Sequence, residues 1–143
     1  MTQISVIVAT YNWPAALELC LQSLKNQSFR DFEILIADDG SQKETREVIQ
    51  KCIKEFPVKV IHLWHEDVGC RKTVIGNQAI QTSTGKYLVF LDGDCIVQPD
   101  FLERHLSIAQ KGYLVTGSRI LLNQKFTNEI LSRRLLDFSW LRK

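Results

Sequence analysis

Short β-branched apolar runs alternate with stretches of helical spacing along this chain, and that alternation limits its fold more than any other feature. Ser5-Val6-Ile7-Val8-Ala9 is continuously apolar or small, as expected of a strand covered on both faces. Pro14 suits the first turn of a helix, and Leu17, Cys20, Leu21 and Leu24 then recur as one apolar stripe. Phe32 to Ala37 predicts a second strand. Ser41 and Glu44 follow as a capping-box pattern, and Val48, Ile49, Cys52, Ile53 and Phe56 mark the buried face of a second helix. Pro57 ends that helix. Val58 to Leu63 predicts a third strand, Lys72 to Gln81 a third helix, and Tyr87 to Leu91 a fourth strand. Asp100 and Glu103 open a further helix with Phe101, Leu102, Leu106 and Ala109 inward, and Tyr113 to Gly117 predicts a fifth strand.

Such alternation implies an α/β fold: a mostly parallel sheet with helices on both faces. The 143 residues suffice for one domain with its own core. A net charge of +2, with no basic stripe interleaved with aromatics, argues against nucleic acid as a partner. The first residues lack the basic region of a secretory signal, and no apolar stretch approaches the ~20 residues that span a bilayer. Cys20 and Cys52 fall on apolar helix faces, so reduced thiols and a cytoplasmic setting are expected. His62, His65 and His105 are scattered, and no zinc spacing links them to the cysteines.

In open parallel sheets, ligands bind beyond the carboxyl ends of the strands. Three polar clusters stand there: Thr10-Tyr11-Asn12, Asp38-Asp39-Gly40-Ser41 and Asp92-Gly93-Asp94. They should share one rim. Two aspartates at the tip of a buried strand repel each other unless a cation joins them, and oxygen ligands favour Mg²⁺ or Mn²⁺ with phosphates completing the shell. A plain polar turn is the alternative for Asp92-Gly93-Asp94. The carboxylates of Asp38 and Asp39 suit a nucleobase edge or a ribose diol. Tyr11 suits stacking on a flat ring, or else the edge of the core. Arg71 and Lys72, at a predicted helix start, suit a diphosphate, with a solvated basic face as the alternative. His65-Glu66-Asp67 reads as loop surface.

The stretches SVIVATYN, DDGS, EDVGCRKTVIGNQAI and FLDGDCIVQPDF, in that order, resemble the family 2 glycosyltransferases of the GT-A, Rossmann-like fold, over residues 4 to about 123. Within that family they are most similar to bacterial polysaccharide and galactosyltransferase-like members. The resemblance implies a nucleotide-sugar-binding core over residues 1–123. It implies that Thr10, Tyr11 and Asn12 line the nucleotide pocket, that Asp39 binds the base, most often uracil, and that Asp38 supports the turn. Arg71 would approach the nucleotide and its phosphates, with Asn77 also on the donor side. Asp92 would touch ribose or sugar and share with Asp94 an Mn²⁺ or Mg²⁺ ion on the diphosphate. The implied reaction is metal-assisted transfer, with inversion, from a nucleotide-diphosphate sugar (a UDP-sugar most often) to a glycan or lipid-linked acceptor. The chain departs from the family's pattern at Cys70, where relatives often have an aromatic, and at Gly76, where they often have arginine.

An inverting transfer needs a general base. After Asp94 the carboxylates are Asp100, Glu103, Glu129 and Asp137, and none offers a convincing base. Residues 124–143 read as an amphipathic helical segment whose apolar face is Ile130, Leu131, Leu135, Phe138, Trp140 and Leu141. It would lead to an absent acceptor half, as in a truncated frame. Docking on a second copy, or with Arg133, Arg134, Arg142 and Lys143 on an anionic membrane surface at the inner face, is the other expectation. A nucleotide-sugar-binding remnant without transferase activity is the main alternative function. A receiver-like signalling module is remote, because a whole strand-helix unit precedes Asp38.

Overall fold

The computed structural model describes residues 2–134 and residue 136, in nine elements. These are β1 (Ile4–Thr10), α1 (Pro14–Lys25), β2 (Phe32–Asp38), α2 (Lys43–Glu55), β3 (Val60–Trp64), α3 (Lys72–Thr82), β4 (Tyr87–Asp92), α4 (Phe101–Ile108) and α5 (Gln124–Arg133). The strands form one parallel sheet in the order β3-β2-β1-β4. β2 is buried along its whole length, as its continuous apolar run requires. Ile4, Val6 and Val8 of β1, with Ile34, Ile36 and Val89, face the side covered by α1, α2 and α4 through Leu17, Leu24, Ile49 and Leu102. Ile7, Leu35 and Ala37 face α3 through Ile75 and Ala79. The expected α/β sheet with helices on both faces is therefore present. No described helix is long and apolar enough to cross a membrane.

Three local expectations are corrected. Residues 113–117 form no strand: the segment opens in a turn after Gly112, Tyr113 and Leu114 are exposed, and it pairs with no described strand edge. An apolar run becomes a strand only where an edge receives its N–H and C=O groups. Ser41 does not cap α2. Gln42 occupies that position, while Ser41 Oγ accepts the Asn12 amide at 3.0 Å and Asn12 Oδ1 accepts the Gln42 amide at 2.7 Å. Ile53 is exposed, so the buried face of α2 is narrower than expected. Of the last segment, α5 lies beside α1, with Ile130 and Leu131 half-buried and Arg134 3.5 Å from Glu18. Leu135, Asp137, Phe138, Trp140, Leu141, Arg142 and Lys143 lie outside the described residues.

Two buried polar side chains hold the connections that place the site. Gln27 at the end of α1 is fully buried; its Nε2 donates to the Gln98 carbonyl at 2.7 Å and its Oε1 accepts the Leu102 amide at 3.0 Å. The loop between β4 and α4 is thus tied to α1. At the opposite end of the sheet, Glu33 lies inside β2. Its Oε1 accepts from Ser5 Oγ at 2.7 Å and from the Thr84 amide and hydroxyl at 2.7 and 2.8 Å. Gly85 must pass against this knot, since a Cβ there would lie 2.4 Å from the Ser5 nitrogen. Burial pushes the Glu33 carboxyl up, but the donors from Thr84 and Ser5, with Lys59 nearby, outweigh it and leave the group below its ordinary range.

Glu33→Ala strips three hydrogen bonds from a buried site and should cost about 2–4 kcal/mol in urea unfolding at neutral pH. The sign with pH follows from the lowered folded value. The contribution is fully present above the unfolded carboxylate's ~4.3 and is lost as the pH falls through the lower folded value. Stability measured from neutral to acid pH should therefore drop less steeply in Glu33→Gln than in the parent chain.

Candidate functional site

The parallel register brings three strand ends to one level: Thr10 pairs with Asp38, and Ala9 with Asp92. The loops beyond them are laced together by main-chain and side-chain bonds. The Thr10 carbonyl accepts the Asp39 amide at 3.0 Å, and the Ala9 carbonyl accepts the Gly93 amide at 2.8 Å. Asn12, at φ +45°, holds the turn between β1 and α1 against Ser41 and Gln42. Gly93 has to be glycine-small, because a Cβ would lie 2.9 Å from the Ala9 oxygen. A cavity of about 460 Å³ opens above this platform, lined by residues from all four strand ends, among them Thr10, Tyr11, Asp39, Asp67, Asp92 and Asp94. Its size falls in the range of small-molecule sites.

Asp38 lies fully buried beneath the rim. It accepts the Ser41 amide at 2.9 Å and faces His62 Nε2 at 2.9 Å. Burial pushes this carboxyl up, yet the donors from His62 and Ser41 prevail and hold it below its usual range. Asp39 is on the cavity wall. Its Oδ1 is 2.7 Å from His65 Nε2, and the Arg71 amide donates to Oδ1 and Oδ2 at 3.1 and 3.0 Å. The Arg71 guanidinium lies 3.4 Å from His65 Nδ1.

Tyr11 stands half-exposed over the cavity, and its hydroxyl donates to Asp67 Oδ2 at 2.8 Å. That hydrogen bond and the Asp67 charge push the phenol up, so it stays the donor. Asp67 is brought there by Gly40, whose φ of +90° and missing side chain admit the 65–71 loop: a Cβ would meet the Asp67 backbone at 2.7 Å. Trp64, at the end of β3, donates to the Ser41 carbonyl at 3.3 Å under the Arg46 guanidinium.

On the other side of the cavity, Asp92 Oδ1 takes the Lys72 ammonium at 2.6 Å and Oδ2 lies 3.5 Å from Arg119. Ligand atoms of Asp92, Asp94 and Cys95 come within 4.8 Å of one another. Burial and then the Asp94 charge push the Cys95 thiol up, so the sulfur stays protonated. Two carboxylates beside a protonated thiol form an oxygen donor set suited to a hard divalent cation with open positions for water and phosphate.

The residues expected from the sequence separate into three groups. Thr10, Tyr11, Asp39, Asp92 and Asp94 line the cavity. Asn12, Asp38 and Arg71 are not among the lining residues: the Arg71 amide bonds to Asp39 on the wall, while Asn12 and Asp38 bond to the Ser41–Gln42 turn behind it. Asn77 is exposed on α3, away from the cavity lining. Lys72, though largely exposed, pairs with Asp92, and His65-Glu66-Asp67 is not simple loop surface: Asp67 lines the cavity and His65 holds Asp39 there. Sequence reading passed over these two, and also Trp13 and Arg119. The available signal for His65 and Asp67 was their position directly after β3, which puts them on the same rim as the other clusters.

Gly40→Ala should lower stability by about 2 kcal/mol or more, from left-handed strain plus collision. Gly112→Ala, at φ +86° with open space around it, should show the strain alone. Urea midpoints of the two variants separate the collision from the backbone term.

The family model described as glycosyl transferase family 2 matches residues 5–142. The putative glycosyltransferase EpsH of Bacillus subtilis is 32% identical over 107 residues, covering 74% of this chain and 30% of that protein. The GalNAc(5)-diNAcBac-PP-undecaprenol beta-1,3-glucosyltransferase of Campylobacter jejuni is 29% identical over 113 residues, 79% of this chain and 36% of that one. Among solved structures, residues 1–349 of TarS from S. aureus, in complex with UDP-GlcNAc, superpose with a TM-score of 0.63 at 29% identity. That match covers 74% of this chain and 30% of the TarS chain. This chain thus spans only about a third of the length of such relatives.

Proposed function

Because the chain belongs to glycosyl transferase family 2 and has the GT-A fold, we propose that it forms the donor-binding part of an inverting transferase that takes a sugar from a UDP-sugar. The acceptor is a glycan or a lipid-linked glycan in polysaccharide assembly, and the setting is cytoplasmic, at or near the inner face of the membrane. The observation that carries this reading is the single cavity that sets a half-exposed aromatic (Tyr11) and a fixed carboxylate (Asp39) opposite Asp94 and a cation-paired Asp92. Tyr11 would stack on the base and Asp39 accept from its edge. The UDP and UDP-GlcNAc complexes of TarS and the glucosyltransferase name of the Campylobacter relative support a UDP-sugar donor.

Asp94 and Asp92 are the residues that would hold Mn²⁺ or Mg²⁺. When bound, such an ion supplies Lewis-acid stabilisation of the diphosphate leaving group. Lys72 and Arg119 lie where they can pass from Asp92 to phosphate oxygens, a transfer between charge-assisted partners of similar strength. Asn77, away from the lining, is given no direct donor contact.

The second reading, nucleotide-sugar binding without transfer by this chain, has its own observation. Among the described residues, the carboxylates after Asp94 are engaged elsewhere: Asp100 with Arg104, Glu103 with Ser28 and Glu129 with Arg133. The proton acceptor for the sugar's new bond would then come from outside the described residues.

Calorimetric titration with UDP, with and without Mn²⁺, tests the donor site. Binding should be metal-dependent, and Asp94→Asn should weaken it about tenfold or more in Mn²⁺ while leaving the metal-free titration unchanged. A folded chain that takes up no UDP in either condition would overturn the reading.

A further inference from the structure

We propose that His65 is a positioning residue for base selection: it holds the Asp39 carboxylate so that its Oδ2 edge is presented to an N–H of the nucleobase. The inference rests on the nucleotide reading above and extends it to a residue outside the expected site.

The hydrogen-bond partners fix the arrangement. Arginine has only donors, and Arg71 Nη2 lies 3.4 Å from His65 Nδ1, so that ring nitrogen presents its lone pair. The ring proton is then on Nε2, which donates to Asp39 Oδ1 at 2.7 Å. The Arg71 amide donates to both oxygens, at 3.1 and 3.0 Å. Oδ1 therefore accepts two donors from the chain and Oδ2 one. The amide contact is nearly symmetric and leaves the carboxylate able to rock. The imidazole breaks the symmetry and pins one oxygen. His65 is itself held, with only 15% of its side chain exposed and the arginine fork at its far edge. A relay runs from Arg71 through His65 to Asp39, and it ends on an oxygen that can only accept.

An acceptor fixed at the cavity wall discriminates between base edges. Uracil offers an N–H at ring position 3, whereas cytosine presents a lone pair there, which an ionised carboxylate repels. Sites built around one such hydrogen bond reject the mismatched analogue strongly, because the polar partner is left unpaired. Without His65 the carboxylate can turn away, and the two bases become more nearly equal.

The test is titration of UDP and CDP, both in Mn²⁺, into the parent chain, His65→Gln and His65→Leu, with folding checked by circular dichroism. The parent chain should prefer UDP by about tenfold or more. His65→Leu should bring that ratio below about threefold, and His65→Gln, whose amide N–H can still reach Asp39, should keep most of it. A purely structural role would weaken both ligands alike and leave the ratio unchanged, which would overturn the proposal. So would a parent chain that binds both equally, or a glutamine variant no better than the leucine one. A parent chain that binds neither nucleotide would instead sink the nucleotide reading, before any variant is compared.

Discussion

Everything at the cavity depends on β1 being held between β2 and β4 in parallel register, with its last residues level with theirs. Thr10 pairs with Asp38 and Ala9 with Asp92, so the two acidic clusters flank the polar end of the first strand. A one-residue slip of β2 or β4 would turn its core residues to the opposite face and move the carboxylates out of reach. The register is therefore secured by the hydrophobic core on both faces, by Glu33 across Ser5 and Thr84 at the far end, and by the Asp39–Thr10 and Gly93–Ala9 bonds at the near end. Stability and site geometry are the same fact seen at two ends of one sheet.

The rim concentrates carboxylates, and the chain answers each differently. Asp38 is buried and closed off by His62 and Ser41, which makes it a fixed part of the turn. Asp39 is nearly buried but reaches the cavity, with His65 on one oxygen and the Arg71 amide across both. Asp92 is half-exposed and paired with two long cationic side chains, whose salt bridges at such exposure are individually weak. Asp94 stands further out, beside a thiol held protonated. From β2 to β4 the carboxylates thus pass from structural to exchangeable.

Much of the fold was legible because its signals are local. Continuous apolar runs marked β1, β2 and β4, Pro14 marked the start of α1, and the capacity of parallel strand ends to carry ligands located the rim. What was not legible depended on tertiary partners. Ser41 has the sequence of a helix cap, but the neighbouring turn offers it the Asn12 amide, and Asn12 Oδ1 in return accepts the amide of Gln42. Tyr113 to Gly117 has strand composition but pairs with neither edge strand of the sheet, β3 or β4. Glu33 is buried inside β2 only because Thr84 and Ser5, distant in sequence, supply its donors. His65 and Asp67 have the composition of surface loop, but the close approach permitted by Gly40 brings Asp67 to the wall, and Asp39 holds His65 there.

The two halves of the cavity differ in how far they are organised before any ligand arrives. The Tyr11–Asp39 side is cross-braced by short bonds to Asp67, to the half-buried His65 and to the Arg71 main chain, so a base entering there meets groups already in place and loses little to reordering. The Asp92–Asp94 side is braced by lysine and arginine side chains with several rotatable bonds, and its carboxylates must change partners when a diphosphate or cation arrives. On the proposed function this division is physically apt. The base is the constant part of a nucleotide-sugar donor and suits a rigid reader. The diphosphate changes charge distribution as the sugar departs, and it suits groups that can follow it.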